Sequence, residues 1–186
     1  SGGIYEVTLT NALNCARTKT FTIEASGIAT IEGIIINDFQ DNNTATIEIS
    51  ASSLGDYEFS LDGVNYQDSN IFSNLNAGEY TVYVQDKKGC GIVFETFYIL
   101  DYPKYFTPNG DGYNDTWNIK NLDKRNLENS IITIFDRYGK LIKQVSGANE
   151  GWNGTFNGEI LPSTDYWFTI ELTNGKTIKG HFALKR

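Results

Sequence analysis

The sequence contains no methionine, one histidine, two cysteines and three prolines in 186 residues. Each scarcity excludes something. A single imidazole leaves Ser-His-Asp chemistry and His-rich zinc sites only one residue to build on. Two cysteines cannot supply a four-thiolate metal cluster. No apolar run approaches the roughly 18 residues that cross a bilayer as a helix, so a chain that is not itself membrane-spanning is expected. Without methionine, Ser1 is not a natural start, and the expectation is a fragment or processed chain with any targeting segment upstream.

What is present suits packed β-structure. Hydrophobic residues make up 40% and aromatics 13%, enough to exclude wholesale disorder. At about 100–150 residues per domain, the chain holds one large domain or two small ones. Charge is unevenly spread: residues 1–100 carry 13 acidic and 4 basic side chains, residues 101–186 carry 10 and 11. All three tryptophans, Trp117, Trp152 and Trp167, follow residue 100. This shift predicts two units with different roles. The acidic first part repels phosphate backbones, so no nucleic-acid partner is expected.

The hydrophobic period is two throughout. Glu6 to Thr10, Thr46 to Ile49, Tyr80 to Val84, Asp165 to Leu172 and His181 to Lys185 alternate as half-buried strands do. Asp62-Gly63, Asn153-Gly154, Asn157-Gly158 and Asn174-Gly175 accept the positive φ of tight turns, and Arg137-Tyr138-Gly139-Lys140 reads as a hairpin with Gly139 left-handed. The fold class expected is all-β, built of Ig-like sandwiches.

An internal repeat sets the organisation. Gly3-Ile4-Tyr5-Glu6-Val7-Thr8-Leu9 with Asn14-Cys15 matches Gly78-Glu79-Tyr80-Thr81-Val82-Tyr83-Val84 with Gly89-Cys90, always 75 positions apart. Phe21 and Phe97 follow in equivalent strands. The expected division is a terminal hairpin of a preceding repeat at 1–27, a complete module at 28–100, and a distinct domain at 101–186. Cys15 and Cys90 are either a disulfide of an exported protein or one buried thiol per module; the second is preferred, since tandem equivalents lie beyond bonding reach.

Two resemblances go further. Tyr57-Glu58-Phe59-Ser60-Leu61-Asp62-Gly63, Tyr66-Gln67 and Phe72 to Val82 resemble the Ig-like repeats of large Bacteroidota surface adhesins, which implies a spacer or adhesive module. Phe106-Thr107-Pro108-Asn109-Gly110-Asp111-Gly112-Tyr113-Asn114-Asp115-Thr116-Trp117, Ile134 to Lys140, Gly151 to Thr155, Leu161 to Trp167 and Gly180-His181-Phe182 resemble, in order, the type B C-terminal sorting domain of the type IX secretion system, or gliding-motility-associated C-terminal domain. That resemblance implies a non-catalytic secretion and cell-surface sorting signal of a large secreted adhesin. Its implied partners are outer-membrane components of the type IX machinery (translocon, shuttle or PorP/SprF-like partner). The implied location is the cell surface or the medium.

Candidate docking residues follow from the strand pattern. Tyr166, Phe168, Ile170 and Leu172 share one face of their strand, which turns Trp167 outward to anchor a partner. The last strand offers His181, Phe182, Lys185 and Arg186 as an edge for pairing, although Phe182 and Leu184 fall on its inward face. Asn109, Asp111 and Asp115 fall at the third, fifth and ninth positions of a calcium-type loop that lacks its first and twelfth carboxylates. The competing reading is an Asx turn cluster bonded to its own backbone. No cofactor is required, with Ca²⁺ the one ion the loop suits. The alternative function is a Ca²⁺-supported carbohydrate- or protein-binding adhesion module using Trp152 and Trp167. An enzyme is not expected, because His181 beside Phe182 is the sole imidazole.

Overall fold

A computed structural model describes residues 2–147, 151–172 and 175–186. It is all-β. Strands β1 (Gly3–Thr10) and β2 (Ala16–Ile23) form a hairpin in register from Gly3 opposite Ile23 to Thr10 opposite Ala16. Next come β3 (Ile31–Asn37), β4 (Asn43–Ile49), β5 (Tyr57–Ser60), β6 (Ile71–Leu75), β7 (Gly78–Asp86) and β8 (Ile92–Ile99), paired in the orders β3-β4-β6 and β5-β7-β8. Two small sheets of this kind, with β5 antiparallel to β7, fit the Ig-like pattern.

The remaining strands are β9 (Tyr105–Phe106), β10 (Ile131–Phe135), β11 (Leu141–Ser146), β12 (Thr155–Phe156), β13 (Glu159–Ile160), β14 (Asp165–Glu171) and β15 (Thr177–Leu184). Five of them make one sheet in the order β11-β10-β14-β15-β9, and β12-β13 form a separate ribbon. A single 3₁₀ turn at Asp123–Arg125 is the only helical element among the described residues. The turns follow their residue types: Asn157 and Gly158, between β12 and β13, have φ of 50° and 86°, and Gly139 has φ of 80°. The Asn174-Gly175 turn falls on Asn174, outside the described residues.

The chain divides into two compact units. One comprises Ser1–Ile35, Ala45–Phe72 and Thr81–Phe97; the other comprises Ile36–Thr44, Ser73–Tyr80 and Tyr98–Arg186. The second unit has an aromatic core centred on Phe182, which is fully buried. The Trp117 ring stacks on Phe182 at 3.8 Å and 13°, and Phe106, Trp152, Tyr166 and Phe168 surround it at centroid distances of 5.9–6.3 Å. Both buried indoles find acceptors: Trp117 Nε1 donates to the Pro103 carbonyl and Trp152 Nε1 to that of Thr155, each at 2.8 Å. Left unbonded, each donor would cost about 1–3 kcal/mol. The two tryptophans also exchange backbone hydrogen bonds of 2.9 Å. This close approach demands Gly151, whose φ is 99° and whose added Cβ would lie 2.7 Å from the Trp117 carbonyl oxygen.

The same unit takes in a segment far upstream. Asp38 is only 3% exposed; its carboxylate accepts a hydrogen bond from Arg125, and Lys176 Nζ lies 3.7 Å away. Phe39, held at φ 63°, packs against the aromatic core. A buried carboxylate without such partners would be strongly unfavourable.

The structure corrects both readings of the cysteines. Cys15 and Cys90 are unpaired and exposed. Each directly follows a left-handed residue, Asn14 or Gly89, at the tip of a hairpin, where side chains point to solvent and not into a core.

Two substitutions test this core, read by urea unfolding with tryptophan fluorescence. Phe182→Ala should lower stability by about 3–5 kcal/mol, the usual cost of removing a buried aromatic ring. Asp38→Ala should cost about 2 kcal/mol, since Arg125 retains some access to water.

Candidate functional site

Period two places the predicted docking residues differently from one another. On β14, Tyr166, Phe168 and Ile170 are buried while Trp167 stays 42% exposed. Trp167 stands between Phe135 on β10 and His181 on β15, its cross-strand neighbours. The His181 ring lies 6.2 Å from that of Trp167, so the two form one outward aromatic step. The strand alternation read from the sequence turned each of them outward; the pairing of β14 with β15 makes them neighbours.

The rest of the terminal set is not an open edge. Phe182 has no exposed surface, because its side of β15 is the core face, and it has nothing to present to a partner. The end of β15 is already paired: β9 runs parallel to it, with Ala183 opposite Tyr105 and Leu184 opposite Phe106. The Lys185 amide donates to the Phe106 carbonyl at 3.0 Å. Edge-to-edge pairing through residues 183–185 is therefore blocked by the chain's own return. Arg186 donates to the Leu161 carbonyl and, at 3.2 Å, to that of Gly154, which fastens the β12-β13 ribbon to the terminus. Lys185 Nζ sits 4.4 Å from the centre of the Tyr105 ring. Trp152, which the alternative reading placed on a contact surface, is 1% exposed and belongs to the core.

A surface that the sequence reading took only for a turn emerges beside Trp167. Asp136 caps the β10-β11 turn, accepting hydrogen bonds from the Tyr138 and Lys140 amides at 2.8 and 2.9 Å. This fixes the turn and projects Tyr138, 81% exposed. A concavity of about 390 Å³ lies on one side of the turn, lined by Phe135, Arg137 and Trp167. Another, of about 300 Å³, lies among Arg137, Tyr138, Lys140, Phe156, Leu161 and Tyr166. Lys140 Nζ sits 4.8 Å from the Phe156 ring centre and Arg137 5.1 Å from that of Tyr138. The Tyr166 hydroxyl, its pKa raised by burial, donates to the Pro162 carbonyl at 3.0 Å and stiffens the opposite lip. Apolar floors rimmed by cations and exposed aromatics are how protein-binding surfaces are usually built. The legible signal in the sequence was an aromatic and two cations at one turn tip.

The loop 109–115 is bonded to itself. Asp115 Oδ1 accepts from the amides of Asn109 and Gly110 at 3.0 and 2.6 Å, and Oδ2 accepts from Gly112 at 2.8 Å. Asp111 Oδ1 accepts from the Tyr113 amide and Oδ2 from Asn109 Nδ2, both at 2.8 Å. The oxygens a cation would need are engaged with N–H donors, which is the Asx-cluster geometry. The Gly110 and Gly112 amides hold the Asp115 carboxyl below its ordinary value of 3.8. A lowered folded pKa means that this contribution is complete above the unfolded value and is lost as pH falls through the folded one. The stability gap between the natural chain and Asp115→Asn should be constant at neutral pH and shrink below about pH 4 in urea unfolding. Calcium, at equal ionic strength, should leave the melting temperature where chelator leaves it.

No curated protein matches the chain. Solved structures similar to it include PorZ of Porphyromonas gingivalis, described as an essential bacterial surface component of the type IX secretion system, at 16% identity and a TM-score of 0.37, covering 90% of this chain and 26% of that one. The FN1–FN3 domains of chicken CNTN1 match at 12% identity and a TM-score of 0.28, over 96% of this chain and 77% of that one. SGBP-B of the Bacteroides ovatus mixed-linkage glucan utilization locus matches at 13% and 0.29, over 98% and 53%. At such values the likeness is confined to β architecture. This chain spans about a quarter of the length of PorZ. The sequence match is more specific, for the family described as CHU_C Type IX secretion signal domain covers residues 100–184. Residues 100–184, which carry the five-stranded sheet and its outward aromatic step, are thus similar in sequence to type IX secretion signal domains.

Proposed function

We propose that residues 101–186 are a non-catalytic sorting signal read as a folded surface by outer-membrane components of the type IX machinery, and that the polypeptide joined to them is delivered to the cell surface or the medium. The observation that carries this reading is the commitment of the alternating side chains to the core. Tyr166, Phe168, Ile170, Phe182 and Leu184 are each at most 1% exposed. Their pattern is thus hidden from a receptor in the folded state. What remains to be read is the outward set: Trp167 and His181 with the turn Arg137 to Lys140, and Lys185 at the end of the chain. Such a signal works by recognition and needs no cofactor.

In this reading residues 28–100 are an Ig-like spacer or adhesive module of a large secreted adhesin, and 1–27 belong to the repeat before it. The acidic balance of residues 1–100 argues against a nucleic-acid partner. No helix among the described residues is long and apolar enough to cross a membrane.

The test is export of a reporter carrying an ordinary export signal peptide, with the full 186-residue chain fused at its C-terminus, in a cell with type IX secretion. The full chain is used because the terminal unit includes residues 36–44 and 73–80. The reporter should reach the surface or medium. Trp167→Ala, and separately Arg137→Glu with Lys140→Glu, should each reduce export roughly tenfold or more while circular dichroism stays unchanged, as expected when a central interface anchor is lost. A reporter retained in the periplasm with the intact chain attached refutes the sorting reading. Undiminished export by a folded variant removes only the residues it altered.

A further inference from the structure

The β1-β2 and β7-β8 hairpins are the same device built twice, down to individual hydrogen bonds. In the first, the Asn14 amide donates to the Asn11 carbonyl at 3.0 Å; in the second, Gly89 donates to Asp86 at 2.8 Å. Asn11 Oδ1 accepts from the amides of Leu13 and Cys15, both at 2.9 Å. Asp86 Oδ2 accepts from those of Lys88 and Cys90, at 3.1 and 3.2 Å. Asn14 and Gly89 are both left-handed, with φ of 59° and 81°. All of these pairs stand 75 positions apart. The turn then closes with the Asn11 amide donating to the Cys15 carbonyl in one case and the Asp86 amide donating to the Gly91 carbonyl in the other. That single extra residue explains why Phe21 and Ile23 align with Phe97 and Ile99 at an offset of 76.

Equivalent positions have opposite environments. Val82, Val84, Phe97 and Ile99 are 0–5% exposed, whereas Val7, Leu9, Phe21 and Ile23 are 43–73% exposed. An open concavity of about 680 Å³ lies over Val7, Leu9 and Phe21. The pairing differs in the same way. β7 bonds to β8 on one edge and β5 on the other, with Phe59 opposite Val84 and Tyr57 opposite Asp86. Among the described residues β1 bonds to β2 alone. An isolated two-stranded ribbon is marginal in water, and an open apolar edge invites a further strand.

We propose that the β1-β2 hairpin is an acceptor for sheet-completing strands of the kind found in residues 28–77, the preceding module of a tandem array. The added strand would run along Thr8–Asn11 as β5 runs along Tyr83–Asp86, and the module would cover Val7, Leu9, Phe21 and Ile23. This stands apart from the sorting reading. It would hold if residues 101–186 sorted nothing.

The experiment supplies the missing strands from the chain itself. A second copy of residues 28–77 is joined directly before Gly3 of the full chain, so that Ala77–Gly3 replaces the natural Ala77–Gly78 step. Amide exchange at Val7, Leu9, Phe21 and Ile23 should become about a hundredfold slower than in the parent chain, as for strands taken into a cooperative unit. Val7→Asp should abolish that protection in the extended chain, yet leave the parent's melting temperature unchanged. Val82→Asp should destabilise both. Exchange left as it was in the extended chain, whether or not the added residues fold, overturns the proposal. So does a parent chain whose melting Val7→Asp lowers as Val82→Asp does. A parent chain that dimerises in sedimentation, and is made monomeric by Val7→Asp, would show that the face takes a second copy instead.

Discussion

The terminal unit depends on the stack of Trp117 on Phe182. That contact ties residues 65 positions apart into one core and orients the last strand. Because β15 must deliver Phe182 and Leu184 inward, His181 is forced outward against Trp167, and Lys185 follows on the surface. Because Trp117 must lie flat on Phe182, its indole reaches the Pro103 carbonyl and fixes the segment that continues into β9. The parallel β9-β15 pairing that closes the edge is then a consequence of the core. The two indoles fit together only because Gly151 lets their backbones approach.

In the proposed sorting reading, a core so fully committed leaves recognition to what is fixed but not buried. Trp167 is presented by the strand period, while Arg137, Tyr138 and Lys140 are presented by a turn that Asp136 locks through two amides. Both arrangements hold their side chains with little remaining backbone freedom, which lowers the entropy lost on binding. The self-bonded loop at 109–115 serves the same end differently. Its carboxylates satisfy backbone donors that would otherwise need water, which ties the connection into Trp117 to its own backbone.

The first unit shows what identical local chemistry does in two settings. Asn11 and Asp86 make the same turn, and β1 and β7 have the same alternation, yet one hairpin is covered and the other open. Local hydrogen bonds fix the form of a hairpin, but burial needs neighbours.

Much of this was legible in the residues. The all-β class, the outward Trp167, the left-handed Gly139 and the repeat of the two hairpins all follow from period-two alternation and short-range turn chemistry, which act over a few residues. The placing of Phe182 among docking residues, of Trp152 on a contact surface and of Cys15 and Cys90 in cores or in a disulfide did not survive. Phe182 already fell on the inward face of its strand by alternation, and the cysteines sit at hairpin tips, so both were open to local reasoning. The burial of Trp152 depends on which distant segments lie against it, and no local pattern encodes that. Only the tertiary structure decided that Asp38 would be buried against Arg125 and that β9 would occupy the terminal edge. It alone decided that the turn at Arg137 would stand between two concavities. Those outcomes come from packing across long sequence separations, where the volume to be filled and the charges to be paired are set by chain segments that meet only on folding.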